Sequence, residues 1–166
     1  MQGKGKAWAD MRVLFASGAL FIADQLSKFF IRQSMALGES IELIPSFFHL
    51  TYITNDGMAF GINFPFGIYI FSIVSIIFTG FLFWYLYSIK DDPLIIRAAL
   101  ALIIAGALGN LTDRLLLGEV TDFLDFMIGG YHWYIFNLAD SFVTIGMVIM
   151  IYDSIFLENK RNAVQE

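Results

Sequence analysis

Aspartate and asparagine side chains are concentrated in residues 109–141 of a chain that is otherwise strongly apolar. This stretch reads GNLTDRLLLGEVTDFLDFMIGGYHWYIFNLADS and joins two segments that are long enough to cross a bilayer. An unpaired carboxylate in hydrocarbon is energetically costly, so ionisable groups at membrane depth indicate a functional site. Residues 109–141 are therefore the first candidate for the chemistry of this protein.

Asp122 and Asp140 are the carboxylates best suited to catalysis. Two carboxylates held close together cannot easily both ionise, so one keeps its proton and the other remains a base. In an aspartic hydrolase the base takes a proton from water, while the protonated acid polarises the scissile carbonyl. A buried helical aspartate is also often a structural partner or an N-cap, and spacing alone leaves both roles open. Asp125 is an alternative acid, one turn from Asp122 if this segment is helical.

Three other charged residues suit structural roles. Asp24 and Lys28 stand at positions i and i+4, which predicts an ion pair within one helix. Asp113 adjoins Arg114 and lies three positions after Asn110, a spacing that suits a hydrogen-bonded brace. We therefore expect Asp24, Lys28 and Asp113 to support the site rather than to react.

Several uncharged residues have two roles open to them. Asn110 and Asn137 can donate and accept hydrogen bonds, which suits binding of a peptide backbone. Hydrogen bonding between helices explains the same two residues equally well. Gly109 fits close helix packing, and Asn55 with Gly57 fits a turn.

The composition is that of a membrane protein. The 166 residues are 58% hydrophobic, 17% aromatic and 15% charged. The mean hydropathy is +0.69, which is far outside the usual range of soluble domains of this size. Lysines and arginines are scattered and form no basic stripe, so nucleic acid is not expected as a partner.

The types of residue that the chain contains exclude several kinds of catalytic site. The chain contains no cysteine, which excludes thiol nucleophiles, thiolate zinc sites and disulfides. His49 and His132 are far apart and no H-E-x-x-H pattern occurs, so we expect no metal and no cofactor. Any catalytic chemistry must therefore rest on carboxylates.

An all-α integral membrane fold with four transmembrane helices has to position these residues, as a single domain over 1–166. We expect the spans at about residues 13–32, 65–89, 94–111 and 133–157. The strand-like runs and the Asn55-Asp56-Gly57 turn within 33–64 predict a small extracytoplasmic β-sheet. Residues 115–131 are too polar to span and are expected at the interface, and 158–166 form a polar cytoplasmic tail.

The distribution of basic residues predicts the orientation. Lysines and arginines lie in the N-terminal segment, after the second span and in the tail, whereas 33–64 and 115–132 contain none. The positive-inside rule then places both termini in the cytoplasm and these two connectors outside. Asn110, Arg114 and Asp140 consequently converge at the depth of the outer leaflet, and not at the midplane where carriers hold their substrates.

Two other classes of protein fit parts of this pattern. A proton-coupled carrier could relay protons through Asp24, Asp122 and Asp140, but it needs a polar trail to both faces. The second span has no charged residue, and the inner halves of the other spans are apolar. A non-catalytic binding protein could dock partners on the outward sheet, and it would tolerate asparagine at both aspartates.

Five short motifs, in the same order, resemble those of the lipoprotein signal peptidase family, also called signal peptidase II. They are Asp24-Gln25-x-x-Lys28, Asn55-x-Gly57-x-Ala59-Phe60, Gly109-Asn110-x-x-Asp113-Arg114, Val120-x-Asp122-Phe123 and Phe136-Asn137-x-Ala139-Asp140-Ser141. Together they extend over most of the chain, which makes the resemblance specific. Asp56 and Met58 depart from the family pattern within the second motif.

The resemblance implies an aspartyl endopeptidase of the bacterial cytoplasmic (inner) membrane, with its active site toward the outer leaflet. Such an enzyme removes signal peptides from prolipoproteins, just before a cysteine that carries diacylglycerol. Asp122 and Asp140 match the family's catalytic aspartates. Substrate-binding or supporting roles fall on Asn55, Gly57, Gly109, Asn110, Arg114 and Asn137.

The resemblance also implies surroundings and partners. Segment 33–64 would form a surface β-cradle and 115–131 a mobile lid. The substrate would be a lipidated prolipoprotein embedded in the lipid bilayer. We further expect a monomer that is inhibited by cyclic peptide antibiotics of the globomycin type.

Overall fold

Four helices of the described chain are long and apolar enough to cross a membrane. The structure, a computed structural model, describes residues 2–56 and 67–157, with side chains from Arg12 onward. The candidate spans are Arg12–Ser34, Gly67–Ser88, Leu94–Leu117 and Leu138–Leu157. The protein is thus a multi-pass membrane protein, and the predicted four-helix architecture is confirmed.

The described elements alternate between membrane helices and short strands. In chain order they are α1 (Gln2–Ser34), β1 (Ser40–Ile44), β2 (Phe48–Asn55), α2 (Gly67–Ser88), α3 (Leu94–Leu117), β3 (Val120–Ile128), β4 (Tyr131–His132), α4 (Leu138–Tyr152) and a short π-helix, Asp153–Leu157. Gly57, Met58 and the polar tail 158–166 lie outside the described residues.

Helix α3 is the centre of the bundle. In its most apolar window 61% of the residues are buried, against 17%, 11% and 11% in the other three spans. Leu100 and Ile104 of α3 are buried in a cluster with Leu82 of α2. The outer helices expose large apolar side chains such as Phe15 and Ile77, which suits contact with lipid tails. The other helices are therefore positioned by their contacts with α3.

Two glycines bring α3 and α4 close together. A Cβ on Gly106 would clash with the carbonyl oxygen of Ala139. A Cβ on Gly146 would lie 2.5 Å from the carbonyl oxygen of Ala99. Small residues at helix contacts in membranes allow such close backbone approach. This contact fixes the start of α4 against the middle of α3.

The strands form one antiparallel sheet in the order β1-β2-β3-β4, which confirms the predicted small sheet. Strand β2 pairs with β3 so that Ile53 is opposite Asp122 and Asn55 is opposite Val120. The pairing joins the two connectors that were expected to act as separate cradle and lid. As a result, Asn55 and Asp122 come to the same end of the sheet.

Within residues 115–131, which were expected at the interface, Val120–Ile128 form strand β3, which pairs with β2. The run VTDFLDFMI is rich in β-branched and aromatic residues, and its first four residues are buried. The partner strand lies far away in the sequence, so local pattern did not reveal the pairing. Asp122 and Asp125 are not on one helical face, since an odd spacing on a strand puts them on opposite faces.

Two helix boundaries also differ from the predicted spans. Helix α3 continues to Leu117 and ends at Gly118, which has a φ of 79°. Helix α4 begins at Leu138 and not at residue 133, because Phe136 is still extended and bridges to Leu124. The chain therefore enters α4 directly from the sheet.

Candidate active site

A cavity of about 620 Å³ opens where the sheet meets α3 and α4. Five of the polar residues singled out from the sequence line it, together with aromatic residues that precede α4. The polar residues are Asn55, Asn110, Arg114, Asp122 and Asp140, and the aromatic ones include Trp133, Tyr134 and Phe136. The two candidate catalytic aspartates thus face one space, although they come from a strand and a helix.

Asn137 connects the two aspartates through hydrogen bonds. It is the N-cap of α4: its Oδ1 accepts from the backbone N–H of Asp140 at 3.0 Å, and its own N–H donates to Asp140 Oδ2 at 3.2 Å. Its Nδ2 donates to Asp122 Oδ1 at 2.6 Å and to Asn110 Oδ1 at 3.1 Å. One fully buried side chain therefore fixes both acids relative to each other.

The carboxyl group of Asp140 is held by the start of α4 and by two nitrogen donors. The carboxylate lies in the first turn of α4, where the helix dipole stabilises negative charge. Asn110 Nδ2 donates to its Oδ1 at 2.7 Å, in addition to the N–H of Asn137 on Oδ2. Both oxygens of Asp140 therefore accept hydrogen bonds from nitrogen donors.

The carboxyl group of Asp122 has a raised pKa. Its side chain is buried, and burial together with the negative charge of Asp140 raises its pKa to about 7. The hydrogen bond from Asn137 opposes this rise without cancelling it. Asp122 can thus hold a proton near neutral pH.

Lys28 lies at the centre of a buried polar network behind the cavity. Its fully buried Nζ is 3.0 Å from Asp24 Oδ2 and 3.1 Å from Asp113 Oδ2. It also donates to Asn110 Oδ1 at 2.9 Å. The ion pair expected between Asp24 and Lys28 is present, and it extends to Asp113. One cation therefore pairs with two carboxylates that would be costly to bury without a partner.

The two carboxylates of this network hold the backbone beside the candidate catalytic residues. Asp24 Oδ1 accepts from the N–H of Ala139 at 2.9 Å, immediately before Asp140. Asp113 Oδ2 accepts from the N–H of Thr121 at 3.1 Å, immediately before Asp122. Asp113 does act as a brace, but its partners are Lys28 and the strand backbone. Each supporting acid positions one aspartate of the pair.

Gly109 is not among the residues that line the cavity. A Cβ at this position would clash with the Asp24 carboxylate, so the glycine makes room for the buried network. Its carbonyl oxygen accepts from Gln25 Nε2 at 3.1 Å. The geometry thus favours the packing role that the sequence pattern suggested for Gly109 over the substrate-binding role that the resemblance implied.

Sequence reasoning gave no role to two residues of the site. Gln25 Nε2 donates to Asp24 at 3.0 Å and lies 3.3 Å from Asp113 Oδ1. Tyr134 lines the cavity, and its hydroxyl accepts from Asn55 Nδ2 at 3.0 Å. Burial and the charges of Asp122 and Asp140 raise the pKa of Tyr134, which keeps the phenol protonated. Gln25 stands inside the first motif, whereas no sequence signal marks Tyr134.

Asp125 lies apart from the cavity and has partners of its own. Thr51 Oγ1 donates to its Oδ2 at 2.6 Å, and His132 Nδ1 is 2.9 Å from its Oδ1. Burial raises the pKa of Asp125, but these hydrogen bonds and the charges of His132 and His49 outweigh it, so the pKa is lowered. Asp125 therefore stays ionised and ties β4 to the sheet.

Metal-ligand groupings were also sought in the two described ranges. No three His, Cys, Asp or Glu side chains of residues 12–56 and 67–157 are grouped so that they could hold a metal ion. Most polar side chains of the cavity are hydrogen-bonded to one another or to the backbone, whereas the Nε of Arg114 has no partner among the described residues. The arrangement is that of a carboxylate pair positioned by amides.

Known proteins are similar to this chain in sequence and in fold. The family model described as signal peptidase (SPase) II matches residues 16–156. The lipoprotein signal peptidase of Syntrophus aciditrophicus is 39% identical over 153 residues, which cover 90% of this chain and 95% of the relative. That of Shewanella oneidensis is 41% identical over 154 residues, covering 90% of each chain.

A solved structure has the same fold. It is a bacterial membrane enzyme determined by the in meso method at 1.9 Å resolution. The two structures superpose with a TM-score of 0.78 at 37% sequence identity, and the match covers 88% of this chain and 94% of the other.

Proposed function

This chain belongs to the signal peptidase II family, and from that premise we propose that it is an aspartic endopeptidase with Asp122 and Asp140 as its catalytic pair. Its relatives are lipoprotein signal peptidases, so the family supports a peptidase that removes signal peptides from prolipoproteins. The cut falls just before a cysteine that carries diacylglycerol. The observation that carries the catalytic assignment is Asn137, which holds both carboxylates at one cavity.

The proposed reaction uses one water molecule between the two acids. Asp140 takes a proton from this water, and the water oxygen attacks the carbonyl carbon of the peptide bond. Asp122, protonated at the start, donates a hydrogen bond to the carbonyl oxygen and stabilises the charge that develops on it. The tetrahedral intermediate then collapses, and the proton on Asp140 passes to the leaving amine. Both acids return to their starting states.

The surroundings of the cavity suit a lipidated peptide. Its walls combine polar groups, such as Asn55 and Arg114, with aromatic rings. The sheet beside it exposes large apolar residues such as Leu43 and Phe47. Acyl chains can therefore remain in the lipid while the peptide backbone reaches the aspartates. On the same premise, cyclic peptide antibiotics of the globomycin type compete for this cavity.

Substitution of each aspartate by asparagine tests the function. Asparagine keeps the shape but can neither accept the proton of water nor hold the shared proton. We expect Asp122→Asn and Asp140→Asn each to lower cleavage of a diacylglyceryl-modified precursor by at least about 1,000-fold. Asp125→Asn makes the same change on β3 outside the cavity and should keep most of the activity.

Cleavage is measured with purified protein in detergent, and folding is checked by thermal unfolding. Near-normal turnover by either Asp122→Asn or Asp140→Asn would reject the catalytic pair. That result would favour a non-catalytic binding protein, which would tolerate asparagine at both positions.

A further inference from the structure

A second, smaller cavity adjoins the first on the side of Asp140 that is away from the sheet. It has a volume of about 280 Å³ and lies between α2, α3 and α4. Asn110, Arg114 and Asp140 line both cavities. Gly106, which also lines the smaller one, comes before Asn110 on a helix that runs toward the sheet. The smaller cavity therefore lies on the bilayer-interior side of the candidate catalytic pair.

Two polar groups at this cavity have no hydrogen-bond partner among the described residues. The side chain of Thr79 is 95% buried, since its exposed fraction is 5%, and its Oγ1 is unpartnered. The Nε of Arg114 is also buried, and it has no hydrogen-bond partner among these residues. Buried polar groups are nearly always hydrogen-bonded, because an unpaired one costs free energy in apolar surroundings. A ligand in the cavity can supply the missing partners.

We propose that this cavity binds the leader residues immediately before the cleaved bond, and that Thr79 binds their backbone. The inference rests on the function proposed above. A signal peptide has an apolar core, so it reaches Asp140 from the bilayer interior, where the smaller cavity lies. The lipidated side of the bond then extends toward the sheet, through the larger cavity.

The conformation needed for cleavage explains why polar groups are required here. A helical leader must unwind at the bond that is cut, and unwinding leaves carbonyl oxygens without their helical N–H partners. At membrane depth no bulk water can replace those partners. The hydroxyl of Thr79 donates to one such oxygen and the Nε of Arg114 to another. Both donors have no partner among the described residues, so they are available to bind such oxygens.

The first test removes the hydroxyl of Thr79 and keeps its shape. For a synthetic diacylglyceryl-modified leader peptide, Thr79→Val should lower kcat/KM about 3- to 10-fold, mainly through a higher KM. Thr79→Ser should restore most of the loss. The thermal midpoint of Thr79→Val should stay the same or rise, because the hydroxyl that is lost has no partner in the described part of the chain. A lower midpoint with an unchanged KM would assign Thr79 to structure and overturn the proposal.

The second test fills the cavity and measures binding directly. Ser75 lines the smaller cavity, whereas Ser72, on the same helix, lines neither cavity. In the Asp140→Asn background, Ser75→Leu should weaken binding of a fluorescent leader peptide at least about 5-fold, and Ser72→Leu should not. Fluorescence anisotropy needs no cleavage, so it distinguishes this proposal from the proposed function. Equal affinities of the two variants would overturn the subsite, whereas failure of the unsubstituted protein to cleave would overturn the function.

Discussion

Asn137 is the residue through which the two candidate catalytic acids are held together. Its side chain caps α4, binds Asp122 and binds Asn110. Because the cap fixes the first turn of α4, the position of Asp140 depends on the same side chain. An amide is suited to these tasks, since it accepts from one backbone N–H while its two N–H bonds point elsewhere. Asn137 is therefore both the N-cap of α4 and a residue of the candidate active site.

The raised pKa of Asp122 predicts how activity depends on pH. Since this pKa is about 7, the form with Asp122 protonated and Asp140 ionised is lost as the pH rises through that value. We expect kcat/KM to be highest below neutrality and to fall toward about ten-fold per pH unit well above it. The rate is measured from about pH 5 to pH 9 with one precursor peptide.

Folding must be followed in the same pH series. The folded state keeps a proton on Asp122 that the unfolded chain has lost, so stability decreases as the pH rises from about 4 to 7. Thermal unfolding at each pH separates this effect from the loss of the reactive form. A rate that stays level or increases between about pH 6 and pH 8, in folded protein, would contradict the assignment of the proton to Asp122.

The contact between α3 and α4 is the element-scale feature that positions the site. Gly106 lies against the backbone of Ala139, whose N–H is bound by Asp24 and which directly precedes Asp140. Any increase in the distance between these helices therefore moves a candidate catalytic carboxylate. Gly80 of α2 offers a contrast, because a Cβ there would meet nothing within 4 Å.

Substitution of these two glycines by alanine tests the helix contact. Gly106→Ala forces the helices apart and should destabilise the protein by about 1–3 kcal/mol, with a matching loss of activity. Gly80→Ala adds the same methyl group in open space and should change both quantities little. Thermal unfolding in detergent and the rate of precursor cleavage are the measurements. If Gly106→Ala is as stable and as active as Gly80→Ala, the close packing is not what holds Asp140.

At the scale of the whole molecule, the four helices and the sheet place the candidate catalytic residues and the polar network of Lys28 at one end of the bundle. The sheet follows α1 and α3 and precedes α2 and α4, so it lies on a single side of the membrane. Basic residues are absent from residues 33–64 and 115–132, which supports our proposal that this side faces outward. Under this proposal both chain termini lie in the cytoplasm, and the membrane is the bacterial inner membrane.

Labelling of single cysteines tests this orientation, and the absence of native cysteine makes the background clean. Leu43 of β1 and Asp92, between α2 and α3, are both exposed. In spheroplasts, a membrane-impermeant maleimide should label Leu43→Cys at once and Asp92→Cys only after the membrane is permeabilised. The unsubstituted chain serves as the blank. The reverse order of labelling would invert the proposed topology.

Features that depend only on residues close together in the chain could be predicted from the sequence. Span length and apolarity are local, so the number of membrane helices was predicted correctly. The pair Asp24 and Lys28 followed from helical spacing, and the motifs selected Asp122 and Asp140 before any geometry was known. The pairing of β3 with β2 was not predicted, because strand pairing depends on a partner that is distant in the sequence.

The tertiary structure alone decided how these residues act together. It joined Asp122 and Asp140 through the amide of Asn137, and it placed the buried acids behind the peptide groups that precede them. The structure also places the hydroxyl of Thr79 at a cavity, where it has no hydrogen-bond partner among the described residues. No charged residue in the sequence of this helix marks the position. The physical reason is that hydrogen bonds and packing join atoms that are close in space, and distance along the chain does not fix which atoms those are.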